Sequence, residues 1–223
     1  HLAFEIGKGI HASMIIIPEM FNKTQITIDK IVRLIISSMI KRRIVGQKFG
    51  VVVVGEGIFH FLQDEDIASS GITFDYDAHG HPELSEVSKA HVISKILKNR
   101  LKELNLDIIC RPVEVGYSLR CVDPSAFDLT YCTTLGIGVK KLYDEGHSGC
   151  MVAVNLEEEV IPVYLKDVED EHGKIRTRLV NIDKEVVRQT LTENIYYLTA
   201  QDRSLARKWL ADPEPFEYER ILG

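Results

Sequence analysis

The chain has 223 residues, 45% of them apolar and 27% charged, with a formal net charge of -6. That length suits one large α/β domain or one lobe of a two-lobed enzyme, with enough apolar residues for a true core. No basic block offsets the acidic balance, which argues against general nucleic-acid affinity.

The chain opens inside an amphipathic helical pattern at His1-Leu2-Ala3-Phe4-Glu5-Ile6, with no initiator Met and no cap, so it reads as a fragment. A helix is expected over His1–Ile10. Met14-Ile15-Ile16-Ile17, closed by Pro18, then predicts a strand covered on both faces, as in a parallel sheet. Ile28 to Val45 is the clearest helix, with Ile28, Ile31, Val32, Ile35, Ile36, Met39 and Ile40 on one face. Asp29 suits its positive end, Lys41, Arg42 and Arg43 suit its negative end, and Gly46 closes it.

Gly50 to Gly57 predicts a second buried strand whose exit carries Glu56 between Gly55 and Gly57. A carboxylate there stands at the carboxyl edge of a parallel sheet, where open α/β folds bind ligands. Gln63 to Glu86 is a polar excursion, long enough for a lid. It contains His79-Gly80-His81 near Asp75 and Asp77, whose spacing fits no standard ligand set; a solvated turn without tightly bound zinc is expected. A helix follows over Leu84–Leu104, then a third strand over Ile108–Val115.

Arg111 to Asp128 carries the densest chemistry. Gly116 frees the backbone to turn, and Tyr117 and Arg120 can converge beyond the strand end, with Arg111 on the same face as Tyr117. Two guanidinium forks and a phenol make a plausible anion site. Taken alone, the residues leave a plain surface-charge reading equally open. A helix is expected over Phe127–Glu145, in which Gly136 and Gly138 permit close packing on the sheet. Strands are expected at Cys150–Val154 and Val160–Leu165, then a charged stretch, a short strand at Ile175–Leu179, helices at Asp183–Leu191 and Ser204–Leu210, and a tail opened by Pro213 and Pro215 that packs on another lobe or subunit. The alternation predicts a right-handed doubly wound sheet.

Cys110, Cys121, Cys132 and Cys150 show no Cys-x-x-Cys spacing, so metal and dithiol readings are weak. With no signal-peptide pattern and no membrane-length apolar run visible, a cytoplasmic, reduced protein is expected.

The motif Gly-Tyr-x-x-Arg-Cys-x-x-Pro-x-x-Phe-Asp at Gly116–Asp128 resembles the substrate-binding signature of the phosphofructokinases, and the rest of the chain matches that family in order. It is closest to the pyrophosphate-dependent branch, where Tyr stands at the position of Tyr117 in place of His. Arg120-Cys121-Val122-Asp123-Pro124 also departs from the Arg-Gly-Gly-x-Pro typical of bacterial ATP-dependent members.

The resemblance implies a three-layer, doubly wound, mostly parallel phosphofructokinase-like lobe over residues 1–165, with residues 166–223 packing on it, on a partner lobe or on a subunit. It implies the carboxyl-terminal part of a 6-phosphofructokinase that acts in glycolysis on fructose 6-phosphate, with pyrophosphate as the favoured donor. An ATP-dependent member and a non-catalytic regulatory subunit are the alternatives. Glu56 would bind sugar hydroxyls, Tyr117 and Arg120 would hold the substrate and its 6-phosphate, and Arg111 would serve a neighbouring subunit's phosphate site in a homodimer or homotetramer. The Gly-Gly-Asp-Asp donor loop and the Thr-Ile-Asp-Asn-Asp segment have no counterpart here, so catalytic carboxylates and Mg2+ ligands are expected in a missing amino-terminal half.

Overall fold

A computed structural model describes residues 1–21, 24–63, 88–116, 118, 121–171, 173, 179–193 and 197–223, with the backbone alone at 192 and 193. The chain divides into two compact units, one formed by His1–Glu114 with Leu179–Gly223 and the other by Val115–Arg178.

The first unit is built on a parallel pair, β1 (Met14–Ile16) and β2 (Val52–Val54), joined through helix α2 (Ile28–Ile44). Parallel strands need such a crossover, because their ends lie at opposite edges. Met14 pairs with Val52 and Ile16 with Val54. Residues from Met14 to Ile17 are buried on both sides of β1. Met14 and Ile16 join the cluster around α2, while Ile15 and Ile17 join Phe4 of helix α1 (Leu2–Gly9). Gly7 brings α1 this close, since a Cβ there would lie 2.7 Å from Ile15 Cδ1.

α2 forms as its pattern predicts. Thr27 caps it by accepting a hydrogen bond from Lys30 N at 3.2 Å, and Gly46, at φ 82°, turns the chain away. Of the seven apolar residues on its expected face, six are buried and Met39 is partly so. Helix α3 (Lys89–Glu103) packs beside it through Val92, Ile93, Leu97 and Leu101.

The later segments of this unit close on the same core. A helical turn, α5 (Glu185–Arg188), adds Val187 to the cluster around Phe4. α6 (Arg203–Ala206) and α7 (Tyr218–Leu222) pack on α2, as does the turn Glu214–Phe216. Phe216 and Ile221 are buried there, and Arg33 Nη1 donates to the Pro215 carbonyl at 3.1 Å.

The second unit is a helix on a hairpin. Helix α4 (Ala126–Asp144) starts with a reciprocal cap: the Ser125 hydroxyl accepts from Asp128 N, and the Asp128 carboxylate accepts from Ser125 N at 2.8 Å. It packs on β3 (Cys150–Val154) and β4 (Val160–Tyr164), which run antiparallel with Val152 opposite Pro162. The turn between them is held by Asn155, whose Oδ1 accepts from Glu157 N and Glu159 N. Gly138 makes the close approach expected of it, for a Cβ there would meet Val152 at 2.6 Å. Gly136 does not: nothing lies within 4 Å of its would-be Cβ.

Helix and sheet are therefore mixed, as expected of an α/β chain, but two strand expectations need correction. Residues 108–115 form no strand, and Ile109, Val113 and Val115 are 80%, 76% and 58% exposed. A strand exists only through a ladder with a neighbour, and no described segment pairs with this one. β3 and β4 form a separate antiparallel pair, because a connection as short as 155–159 can only reverse the chain. Of the short strand expected at Ile175–Leu179, only Leu179 lies within the described residues. No helix among the described residues is long and apolar enough to cross a membrane.

Candidate functional site

The carboxyl edge of the parallel pair is built first by the backbone. Gly55 N donates to the Ile16 carbonyl at 2.8 Å, extending the ladder one step past β2. The chain then enters a 3-10 turn at Glu56–Phe61, whose Ile58 and Phe59 are buried. That turn swings Glu56 outward at the strand exit. Neither flanking glycine is forced by space or by φ: Gly55 has φ -67°, and a Cβ at Gly55 or Gly57 would make only ordinary contacts. Glu56 stands where the sequence placed it, for a reason other than the pinning its two glycines suggested.

Its side chain is 68% exposed and meets Lys89 Nζ at 2.6 Å. Lys89 is the first residue of α3, whose cap is Ser88. Ser88 Oγ accepts from His91 N at 3.3 Å and lies 2.6 Å from His91 Nδ1. The next backbone N–H of the helix, Ala90, donates to Glu114 Oε1 at 3.4 Å. A carboxylate suits this position, because the first N–H groups of a helix lack internal partners and carry partial positive charge.

One helix end thus gathers two distant parts of the chain. Glu56 reaches it from the exit of β2, and the segment containing Arg111 reaches it through Glu114. Arg111 itself is exposed and makes no hydrogen bond or ion pair among the described residues. Beside it, Pro112 borders a shallow open groove of about 300 Å³ along α3, lined by His91, Lys95, Lys98 and Lys102. The edge thus carries a carboxylate, and the groove along α3 carries cations of the kind that suit an anion. Tyr117 and Arg120 lie outside the described residues, as does His79-Gly80-His81.

Lys89 and Glu114 escaped the sequence reading. Ser88 followed three residues later by His91 marks a helix start only weakly, and nothing local links Lys89 to a glutamate 33 positions earlier.

Cys110 and Cys150 are half-buried, and Cys121 and Cys132 are exposed. Burial pushes the Cys110 thiol up, only partly opposed by nearby Lys98, so it stays protonated near neutrality. Among the described residues no three His, Cys, Asp or Glu side chains converge as a metal cage.

No family model matches the chain. It is similar to proteins named pyrophosphate--fructose 6-phosphate 1-phosphotransferase. The protein of that name from Naegleria fowleri is 31% identical over 194 residues, covering 83% of this chain and 44% of its own length. The one from Thermotoga maritima is 30% identical over 219 residues, covering 96% of this chain and 50% of its own length. A subunit beta 2 of that name from Arabidopsis thaliana is 21% identical over 229 residues. The chain spans about half the length of the curated relatives it matches.

Proposed function

The chain belongs to the phosphofructokinase family, in its pyrophosphate-dependent branch, and on that footing we propose that the full-length protein phosphorylates fructose 6-phosphate at its 1-hydroxyl, with pyrophosphate as donor, as a step of glycolysis. The sugar O1 attacks one phosphorus of pyrophosphate, the bridging P–O bond breaks, inorganic phosphate leaves, and the O1 proton passes to a base outside these residues. Magnesium and the carboxylates that hold it belong to that other part of the protein. Such a transfer asks the protein mainly for orientation and charge stabilisation.

This chain supplies the sugar-phosphate side. Glu56 accepts hydrogen bonds from sugar hydroxyls. Tyr117 and Arg120 hold the sugar and its 6-phosphate, and Arg111 serves the phosphate site of a neighbouring subunit in a cytoplasmic homodimer or homotetramer. The observation supporting the reading is the junction at the start of α3, where Glu56 and the Arg111–Glu114 segment meet the same helix end. In the complete protein the parallel pair extends into a three-layer, doubly wound sheet.

The test is a donor assay on the full-length protein with fructose 6-phosphate, supplying pyrophosphate or ATP in turn. Fructose 1,6-bisphosphate formed with pyrophosphate is the expected product. Turnover with ATP alone would reassign the donor, and no turnover with either would leave a sugar-binding subunit.

A further inference from the structure

α3 gathers cations on one side. His91, Lys95, Lys98 and Lys102 follow one another at spacings of four, three and four. At about 100° per residue, that confines them to an arc of about 60°. All four are exposed, and all four line the open groove of about 300 Å³ that Pro112 borders. No carboxylate is among the described residues that line it. In a chain of net charge -6, three lysines and a histidine along one concave strip run against the overall balance.

Ser94 is the second observation. It lines the same groove yet is only 7% exposed, and its Oγ has no hydrogen-bond partner among the described residues. A buried hydroxyl normally finds an acceptor, most simply the carbonyl one turn back in its own helix. This one lacks even that, so the groove offers a buried donor beside its ammonium groups. Ammonium groups hold phosphate oxygens as point charges, and a hydroxyl adds one directed bond. A small phosphoryl dianion answers both, whereas a long polyanion meets the repulsion of the chain's net negative charge.

We propose that the groove on α3 binds a phosphoryl dianion, carried free as inorganic phosphate or on a phosphomonoester, in addition to the site proposed for the sugar 6-phosphate. The groove lies away from Glu56. Glu56 pairs with Lys89, and at about 1.5 Å per residue Lys98 and Lys102 stand about 14 and 20 Å further along the helix. Pro112 forms its wall, so a bound anion sits between α3 and the segment that carries Arg111. The proposal depends neither on the phosphoryl donor nor on the sugar site.

Site-resolved lysine footprinting of the full-length protein tests it. Acetylation of Lys98 and Lys102 is followed by mass spectrometry in inorganic phosphate or glycerol 3-phosphate, with chloride at matched ionic strength as the screening reference. Phosphate or its ester should slow both lysines by roughly 5-fold or more along a single-site curve, while exposed Lys208 is unaffected. The ligand that protects at the lower concentration identifies the source. Slowing no greater than in chloride, or equal slowing at Lys208, would reduce the effect to screening and overturn the proposal. Arg120→Ala, which weakens the proposed sugar-phosphate site, should leave this protection intact. Its loss in that variant would place the anion at the sugar and contradict an additional site. Ser94→Ala removes the buried hydroxyl without altering charge and should raise the half-saturating concentration by roughly 3- to 10-fold. An unchanged value would contradict the part assigned to that hydroxyl.

Discussion

Lys89 Nζ lies 2.6 Å from Glu56 Oε1, an ion pair that ties the first residue of α3 to the exit of β2. It holds a carboxylate that is still largely exposed. Because Glu56 is 68% exposed, the pair contributes no more than about 1 kcal/mol to stability. Lys89→Met in the full-length protein should therefore shift Tm by less than about 4 °C. It should raise the KM for fructose 6-phosphate by roughly 2- to 5-fold, as the acceptor loses its orientation. Steady-state kinetics and a melt on the same sample check both halves. A large Tm loss would mean that Lys89 is a core strut, and an unchanged KM would detach it from the sugar.

The pair formed by Lys41 and Asp202 has the opposite character. Asp202 is 8% exposed and accepts from Lys41 Nζ at 2.7 and 2.8 Å and from Thr199 N at 2.9 Å. Burial pushes its carboxyl up, but the Lys41 and Thr199 bonds outweigh it and hold the group below its ordinary range. Asp202→Ala removes a cap and leaves an ammonium without its partner, at a cost of roughly 2–3 kcal/mol. Urea unfolding at neutral pH would read that loss directly.

The sign of the pH dependence follows from the same group. A carboxyl whose folded value is lowered contributes fully above its unfolded value, about pH 4, and that contribution is lost as pH falls through the folded value. Glu217, lowered chiefly by the Arg203 guanidinium that grips it, acts in the same sense. The stability gap between wild type and Asp202→Ala should therefore shrink as pH drops from 5 toward 2 (about that range). A gap that stays constant or widens would contradict the assignment.

Gly7 and Gly138 are steric requirements that a single substitution probes. A Cβ at Gly138 would meet Val152 at 2.6 Å and Val160 at 2.8 Å, and one at Gly7 would run into Ile15. The valine and isoleucine methyls must move to admit it, an overpacking cost of roughly 1–3 kcal/mol that exceeds the helix gain from alanine. Gly7→Ala and Gly138→Ala should each lower Tm, and a rise in either would show that the neighbours give way freely.

How much of this was legible in the sequence depends on where each residue finds its partner. α2 was readable because its signals are local: Thr27 caps it, Gly46 ends it, and the apolar stripe from Ile28 to Ile40 meets a core made by this same chain. The runs at Met14 and Val52 were readable as parallel strands because four-residue apolar stretches on either side of a helix have few other solutions. The alternation from Arg111 to Val115 pointed to a strand by the same logic and gave none, because pairing depends on a neighbour that local pattern does not specify. Within the candidate site, Glu56 was placed correctly at the strand exit. Its contact with Lys89 was invisible, since it links residues 33 positions apart with no periodic signal.

Arg120 bears the central claim, that this chain holds the sugar phosphate. The most direct measurement is the KM for fructose 6-phosphate of full-length Arg120→Ala, with pyrophosphate as donor. Loss of a charge-assisted contact of about 1.5–3 kcal/mol predicts a rise of roughly 10- to 150-fold. A variant that folds like the wild type and keeps its KM would contradict the account.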